Sequence, residues 1–192
     1  MATESVEGTE EEEAVVARAK RGDEDAYAWL LDRYNAAIYT YCRRLVRGED
    51  ARDLAQETFV KAFLSIGTFD ETKRFAPWLY RIAHNLVIDY LRKKRAPTYS
   101  LTIEDDGEAR EFEFADRTLA PEELVSRKEI REAFNAALES LETEYKEVLV
   151  LRHVEGFSYD EIAGILGLPL GTVKVRIHRG RQRLKQKLRP YV

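Results

Sequence analysis

The chain has 192 residues, 44% hydrophobic and 34% charged side chains, and a formal net charge of −4, a balance that suits one or two folded domains and not a wholly disordered polymer. No run approaches the roughly 18 apolar residues of a membrane span and no apolar core follows a basic start, so neither membrane insertion nor secretion is expected. Cys42 is the single cysteine, and His84, His153 and His178 show no HExxH spacing, which leaves no disulfide framework, no metal site and no cofactor to expect.

Residues 1–13 hold six acids and no bases, which predicts a solvated, disordered acidic tail. Glu12 to Arg21 is a short amphipathic run carrying Ala14, Val15 and Ala17, stopped at Gly22. Asp23 to Asp25 supply an N-cap and first-turn acids for a long helix. Its stripe, Ala26, Trp29, Leu30, Tyr34, Ala37, Ile38, Tyr41, Cys42 and Leu45, recurs at spacings of three and four and ends at Gly48. Glu49 to Ile66 is the next helix, with Ala51, Leu54, Ala55, Phe59, Ala62 and Phe63 as its apolar face. Residues 67–74 read as a loop. Pro77 fits the first turn of a further helix that ends in the basic run Arg92 to Arg95. The block 14–100 carries 16 bases against 11 acids.

Residues 97–120 read as a flexible linker, acidic and bounded by Pro97 and Pro121. Nine acids face two bases over 101–124. A strip of this charge could fold over either basic block and screen it. A short strand at Arg110 to Phe114 is the one hint of β structure. Helices are then expected over Pro121 to Glu139 and Glu142 to Val154. Ser158, with Glu161 three residues on, makes a capping box for a short helix that closes at Gly167. A last helix runs from Pro169 to Leu188. The expected fold is all-α, two small helical domains, 14–96 and 121–192, on either side of the linker.

Two constellations carry chemistry. Residues 158–181 have the pattern of a helix-turn-helix: a short helix, a tight turn at Gly167, and a second helix. From Thr172 to the end eight bases meet no acid. Arginine can bond a guanine edge with two parallel N–H groups, and lysines can hold phosphates. This pattern predicts a helix that enters a DNA major groove. In residues 69–95, Phe69, Phe75, Trp78, Tyr80 and Tyr90 interleave with Lys73, Arg74, Arg81 and the 92–95 run. Aromatic rings stack on unpaired bases while cations hold the backbone. Asn85 can read a base edge with its donor and acceptor together. Trp78 and Tyr90 lie on the apolar stripe and belong more naturally to a core.

In this order and at this separation the segments resemble the extracytoplasmic-function sigma factors of bacterial RNA polymerase. DLAQETFVKAF (53–63) is similar to the family's polymerase-binding helix. FAPWLYRIAHNLVIDYLRKKR (75–95) is similar to its promoter-melting helix, and EIAGILGLPLGTVKVRIHRGR (161–181) to its −35-reading helix-turn-helix. The resemblance implies a transcription initiation factor with no catalysis of its own, acting in the cytoplasm. Its implied partners are the clamp and flap of core RNA polymerase, promoter DNA both duplex and single-stranded, and an anti-sigma factor. By position, Asp53, Gln56, Glu57 and Phe59 fall on the clamp-binding helix. Phe69, Phe75, Asn85, Arg92 and Lys93 fall at the −10 element. Thr172, Lys174, Val175, Arg176, His178, Arg179 and Arg181 fall on the −35 face. Val175 stands where many members carry serine, which replaces a hydrogen bond by an apolar contact. Asp89 stands where an uncharged or basic residue is common.

Other readings fit less of the chain. A dimeric helix-turn-helix regulator leaves the amino-terminal half without a task. A hydrolase lacks a phosphate-cradling glycine loop, a metal cluster or a triad. A pure protein-interaction module leaves the basic carboxy-terminal helix unexplained.

Overall fold

The Asp23 carboxylate accepts a hydrogen bond from the Ala26 N–H at 3.1 Å, so the long helix begins where its cap predicts. The computed structural model describes residues 10–46, 48–95 and 132–189. They form α1 (Glu10–Lys20), α2 (Glu24–Leu45), α3 (Asp50–Ser65), a single 3-10 turn at Ile66–Thr68 and α4 (Phe75–Arg95). Helical residues 132–139 are α5, followed by α6 (Thr143–His153), α7 (Tyr159–Leu166) and α8 (Leu170–Leu188). There is no strand among the described residues. The linker 97–120, the strand expected at 110–114 and the helix start at Pro121 lie outside the described residues.

Residues 10–13, placed by sequence in the acidic tail, are helical. The reason is Glu12, which is buried and accepts a hydrogen bond from the Tyr34 hydroxyl at 2.7 Å and another from Arg33 Nε at 3.2 Å. A buried carboxylate persists only with such donors. The buried stripe of α1 is therefore Glu12, Val15, Val16 and Ala19, at helical spacing, while Ala14 is exposed.

α2 buries Ala26, Leu30, Tyr34, Ile38, Tyr41, Cys42 and Leu45. α1, α3 and α4 all pack against it. α3 buries Leu54, Ala55, Phe59 and Ala62, and α4 buries Leu79, Ala83 and Val87. In the other half, Ser158 caps α7 by accepting from the Glu161 N–H, while the Glu161 carboxylate accepts from the Ser158 N–H at 2.8 Å. Gly167 closes the helix with φ of 63°, the left-handed conformation that glycine adopts without strain. Val173 and Ile177 of α8 enter the core. Where α8 crosses α6, Gly180 leaves so little room that a Cβ there would lie 3.2 Å from Leu149.

The two halves are in contact. α4 packs on α7, and α2 on α6. The Tyr80 ring meets Tyr41 edge-on at 5.3 Å and Phe157 at 4.9 Å, so the apolar core continues from one half into the other. Three carboxylates of the second half find partners on the first. Glu147 Oε1 accepts from the Tyr41 hydroxyl at 2.5 Å and lies 2.6 Å from His84 Nδ1. Glu155 accepts from the Tyr80 hydroxyl at 2.5 Å and lies 4.0 Å from the Arg44 guanidinium. Glu161, while capping α7, pairs with Arg74 at 2.5 Å.

Candidate nucleic-acid and polymerase interfaces

The exposed face of α3 carries Asp53, Gln56, Glu57, Val60 and Leu64, at successive helical turns. Asp53, Gln56 and Glu57 are thus brought together as expected. Phe59 is not with them: it is buried, and its backbone carbonyl accepts a hydrogen bond from the Tyr27 hydroxyl. Phe63, expected in the core, is nearly half exposed and meets the Tyr27 ring edge-on at 4.7 Å. Leu64 is 77% exposed. Acids beside open apolar side chains make a surface suited to a protein partner. The apolar part was missed by sequence reasoning, although Val60 and Leu64 continue the spacing that starts at Asp53.

The loop after the 3-10 turn is built from its own side chains. Asp70 Oδ1 accepts from the Thr72 N–H at 3.1 Å and from the Thr72 hydroxyl at 2.7 Å. The Thr72 hydroxyl first, then its N–H and the nearby Lys73, hold the Asp70 carboxyl below the usual carboxylate range. Phe69 and Phe75 are buried beneath this loop. Phe69 meets Phe75 at 5.6 Å and Trp78 at 5.3 Å, and Tyr34 meets Phe75 at 5.6 Å. Four rings packed this way form the floor of the loop. They are not presented to a base. On α4, Arg81, Asn85, Asp89 and Arg92 form an exposed stripe at intervals of three and four, with Lys93 beside it. Arg92 pairs with Asp89 at 3.0 Å; both side chains are open to solvent, so this contact competes weakly with a phosphate. Tyr90 donates to Asp50 of α3, which fixes it as a brace between helices.

On α8 the outward residues are Lys174, Val175, His178 and Arg179, adjacent pairs one turn apart. Lys174 and Arg179 have no ion pair among the described residues. Val175 is 47% exposed and offers an apolar patch between cations. Two of the expected reading residues are turned towards α6. Arg176 pairs with Glu144 at 2.8 Å, and Arg181 Nε donates to His153 Nε2 at 3.1 Å. That bond requires His153 to be neutral, and burial, with Arg181 and Arg152 nearby, holds its pKa below the ordinary value. Thr172 is half-buried and lines, with Glu144, Tyr145, Gly171, Val175, Arg176 and Arg179, a cleft on one flank of α8. Arg183 pairs with Glu142, and its guanidinium stacks 4.3 Å above the Tyr145 ring. α8 thus presents one open face, flanked by arginines braced on α6.

Residues 30–96 match sigma-70 region 2, and residues 131–184 match sigma-70 region 4. The chain is 39% identical over 178 residues to the ECF RNA polymerase sigma factor SigW of Bacillus subtilis, covering 91% of this chain and 95% of SigW. The chain belongs to the extracytoplasmic-function sigma factors. Identity to the ECF sigma-E factor of Escherichia coli is 33%, over 94% of this chain and 96% of the relative. The fold is similar to that of CnrH in complex with the cytosolic domain of CnrY, with a TM-score of 0.66, 28% identity, and coverage of 93% of this chain and 97% of CnrH. It is also similar to the sigma factor RpoE of Bartonella quintana bound to the anti-sigma factor NepR, at TM-score 0.65, 24% identity and coverage of 85% and 96%. A sigma factor directs RNA polymerase to promoters, so the faces on α3, α4 and α8 are surfaces of a transcription initiation factor. No helix among the described residues is long and apolar enough to cross a membrane.

Proposed function

We propose that the two halves of this sigma factor divide a promoter between them. The first, 14–96, holds core RNA polymerase and opens the −10 element. The second, 121–192, reads the −35 duplex and reaches the polymerase flap. The observation that carries this reading is the open face of α8, where Lys174, Val175, His178 and Arg179 are exposed together and Lys174 and Arg179 make no ion pair among the described residues. Arg179 suits a guanine edge, Val175 a thymine methyl, and Lys174 a phosphate or a base acceptor. Arg176 and Arg181 flank them as braces that DNA can recruit, and Thr172 lies at the start of the helix.

In the first half, Asp53, Gln56 and Glu57, with Val60 and Leu64, make the clamp-binding face, and Phe59 supports it from within. Asn85 reads an unpaired base, Arg92 and Lys93 follow its backbone, and Phe69 and Phe75 keep the loop in shape. Capturing a base already unpaired avoids most of the unstacking penalty. The residues between the halves act as a tether that raises the effective concentration of the second site. The factor works in the cytoplasm and leaves catalysis to the polymerase. An anti-sigma factor is its regulatory partner, as the family implies; CnrH, of similar fold, is seen with a protein partner, the cytosolic domain of CnrY.

The test is transcription from a promoter library by core polymerase with and without the chain. Start sites that appear only with it, preceded by two spaced motifs, support the reading. Binding to duplex DNA alone with no new start sites overturns it.

A further inference from the structure

The loop that shapes the proposed −10 site is held by a helix that precedes the residues matched to region 2. Region 2 is matched from residue 30 onward, and α1 precedes it. Lys20, the last residue of α1, reaches across to the loop. Its Nζ donates to the Phe69 carbonyl at 2.9 Å and pairs with Glu71 at 2.6 Å. The lysine side chain is 21% exposed and that of Glu71 52%, so the bond to the carbonyl is part-buried while the ion pair lies at the solvent edge. α1 also reaches the floor of the same loop. Glu12 accepts from the Tyr34 hydroxyl, and the Tyr34 ring packs on Phe75. One helix therefore grips the loop at two points, one along its backbone and one through its aromatic floor.

We propose that Lys20 is a positioning residue for promoter melting: it fixes the backbone at Phe69 to Glu71 so that the loop meets the unpaired −10 strand in one conformation. The inference rests on the reading that this loop and α4 receive that strand. A charge-assisted hydrogen bond to a carbonyl is among the stronger ones. A loop frozen before binding loses less entropy when the strand arrives. Asp70 and Thr72 rigidify the turn internally, but they do not fix where the turn sits. Lys20 does, because it is anchored on a helix whose Val15, Val16 and Ala19 are buried.

The experiment uses holoenzyme reconstituted from core polymerase and the full chain. One probe is a pool of promoter bubbles randomised at the melted positions. The other is a pool of intact duplexes randomised at the −35 positions. Lys20→Met, similar in length but without donors or charge, is expected to reduce preference for the favoured base in the bubble pool by about tenfold, the scale of one lost hydrogen bond from a charged group. The −35 profile is expected to stay as in wild type. Lys20→Arg restores the bubble profile, and Arg21→Met, which removes a neighbouring exposed charge, changes neither. A wild-type bubble profile in Lys20→Met overturns the inference. Equal loss on both pools also overturns it, since Lys20 would then only hold the fold. A flat bubble profile in the wild-type factor overturns the −10 reading itself.

Discussion

Gly180 and His153 show how single residues set the geometry of α8 against α6. A Cβ on Gly180 would press on Leu149 at 3.2 Å, and Leu149 is itself buried. For Gly180→Ala the gain in helix propensity, about 1 kcal/mol, offsets a small adjustment of Leu149. Gly180→Val overfills the crossing. It is expected to lower stability by about 2 kcal/mol, read as a lower urea midpoint at unchanged slope. His153 predicts a pH effect. Burial first, then Arg181 and Arg152, lowers its pKa from 6.5. The folded state therefore favours the neutral ring, and stability falls as pH drops below about 6.5. Protonation also removes the acceptor that Arg181 uses. His153→Gln keeps an acceptor and does not titrate, so wild type is expected to lose more melting temperature than the variant between pH 7.5 and 5.5.

At the scale of the element, a helix face separates roles that a list of basic residues does not. Arg179 lies on the open face of α8, and Lys185 lies exposed nearer its end. Arg179→Ala is expected to relax preference at one −35 position, by about 1–3 kcal/mol of discrimination. Lys185→Ala is expected to weaken all sequences alike and reduce the salt slope of binding by about one. Titration of promoter duplexes at several salt concentrations checks both. The element boundaries were legible because their signals are local. Asp23, the Ser158–Glu161 box and Gly167 act within a few residues of where they stand, and each caps or closes its helix in the structure. The carboxy-terminal motif was legible for the same reason. What a face meets was not. Phe69 and Phe75 look like open aromatics at a loop, yet they turn inward because Tyr34 of α2 and Trp78 of α4 complete a ring cluster with them. Phe63 looks like core, yet it is nearly half exposed among the described residues. Arg176 looks like a base reader, yet Glu144, 32 positions earlier, takes its guanidinium. Glu12 reads as the border of acidic tail and first amphipathic run until the Tyr34 hydroxyl is seen to donate to its carboxylate.

On the scale of the molecule, the contact between halves was beyond the sequence, because Tyr41, Tyr80, His84, Glu147 and Glu155 come from distant segments with no shared pattern. Burial pushes the Glu155 carboxyl above the ordinary 4.5, against the opposing pull of the Tyr80 hydroxyl and Arg44. A raised acid supports the closed arrangement when protonated, and that support is lost as pH rises through the raised value. Glu161 has the opposite sign: burial pulls it up, but the Ser158 N–H and hydroxyl with Arg74 outweigh that and hold it low. Glu155→Gln isolates the first effect. With dyes on cysteines placed at Asp32 and Gln186, energy transfer in wild type is expected to decline more with rising pH than in the variant. Burial pushes the Cys42 thiol up to about 12, so it stays out of the labelling.

The closed contact leaves the outward faces of α4 and α8 open to solvent; what it restricts is their separation. Two touching domains of this size have centres about 30 Å apart. Promoter elements named −10 and −35 lie about two and a half helical turns apart, on the order of 85 Å. A molecule whose halves stay in contact therefore cannot place one half on each element. On the proposed division of the promoter, engaging both elements at once requires a form in which the halves have parted. If one molecule in a hundred is open, the apparent dissociation constant for a whole promoter is about a hundredfold weaker than that of the open form. A protein that separated the halves would then sharpen promoter binding by that same factor while touching no DNA, and the Tyr80–Glu155 contact is one of those it would have to break.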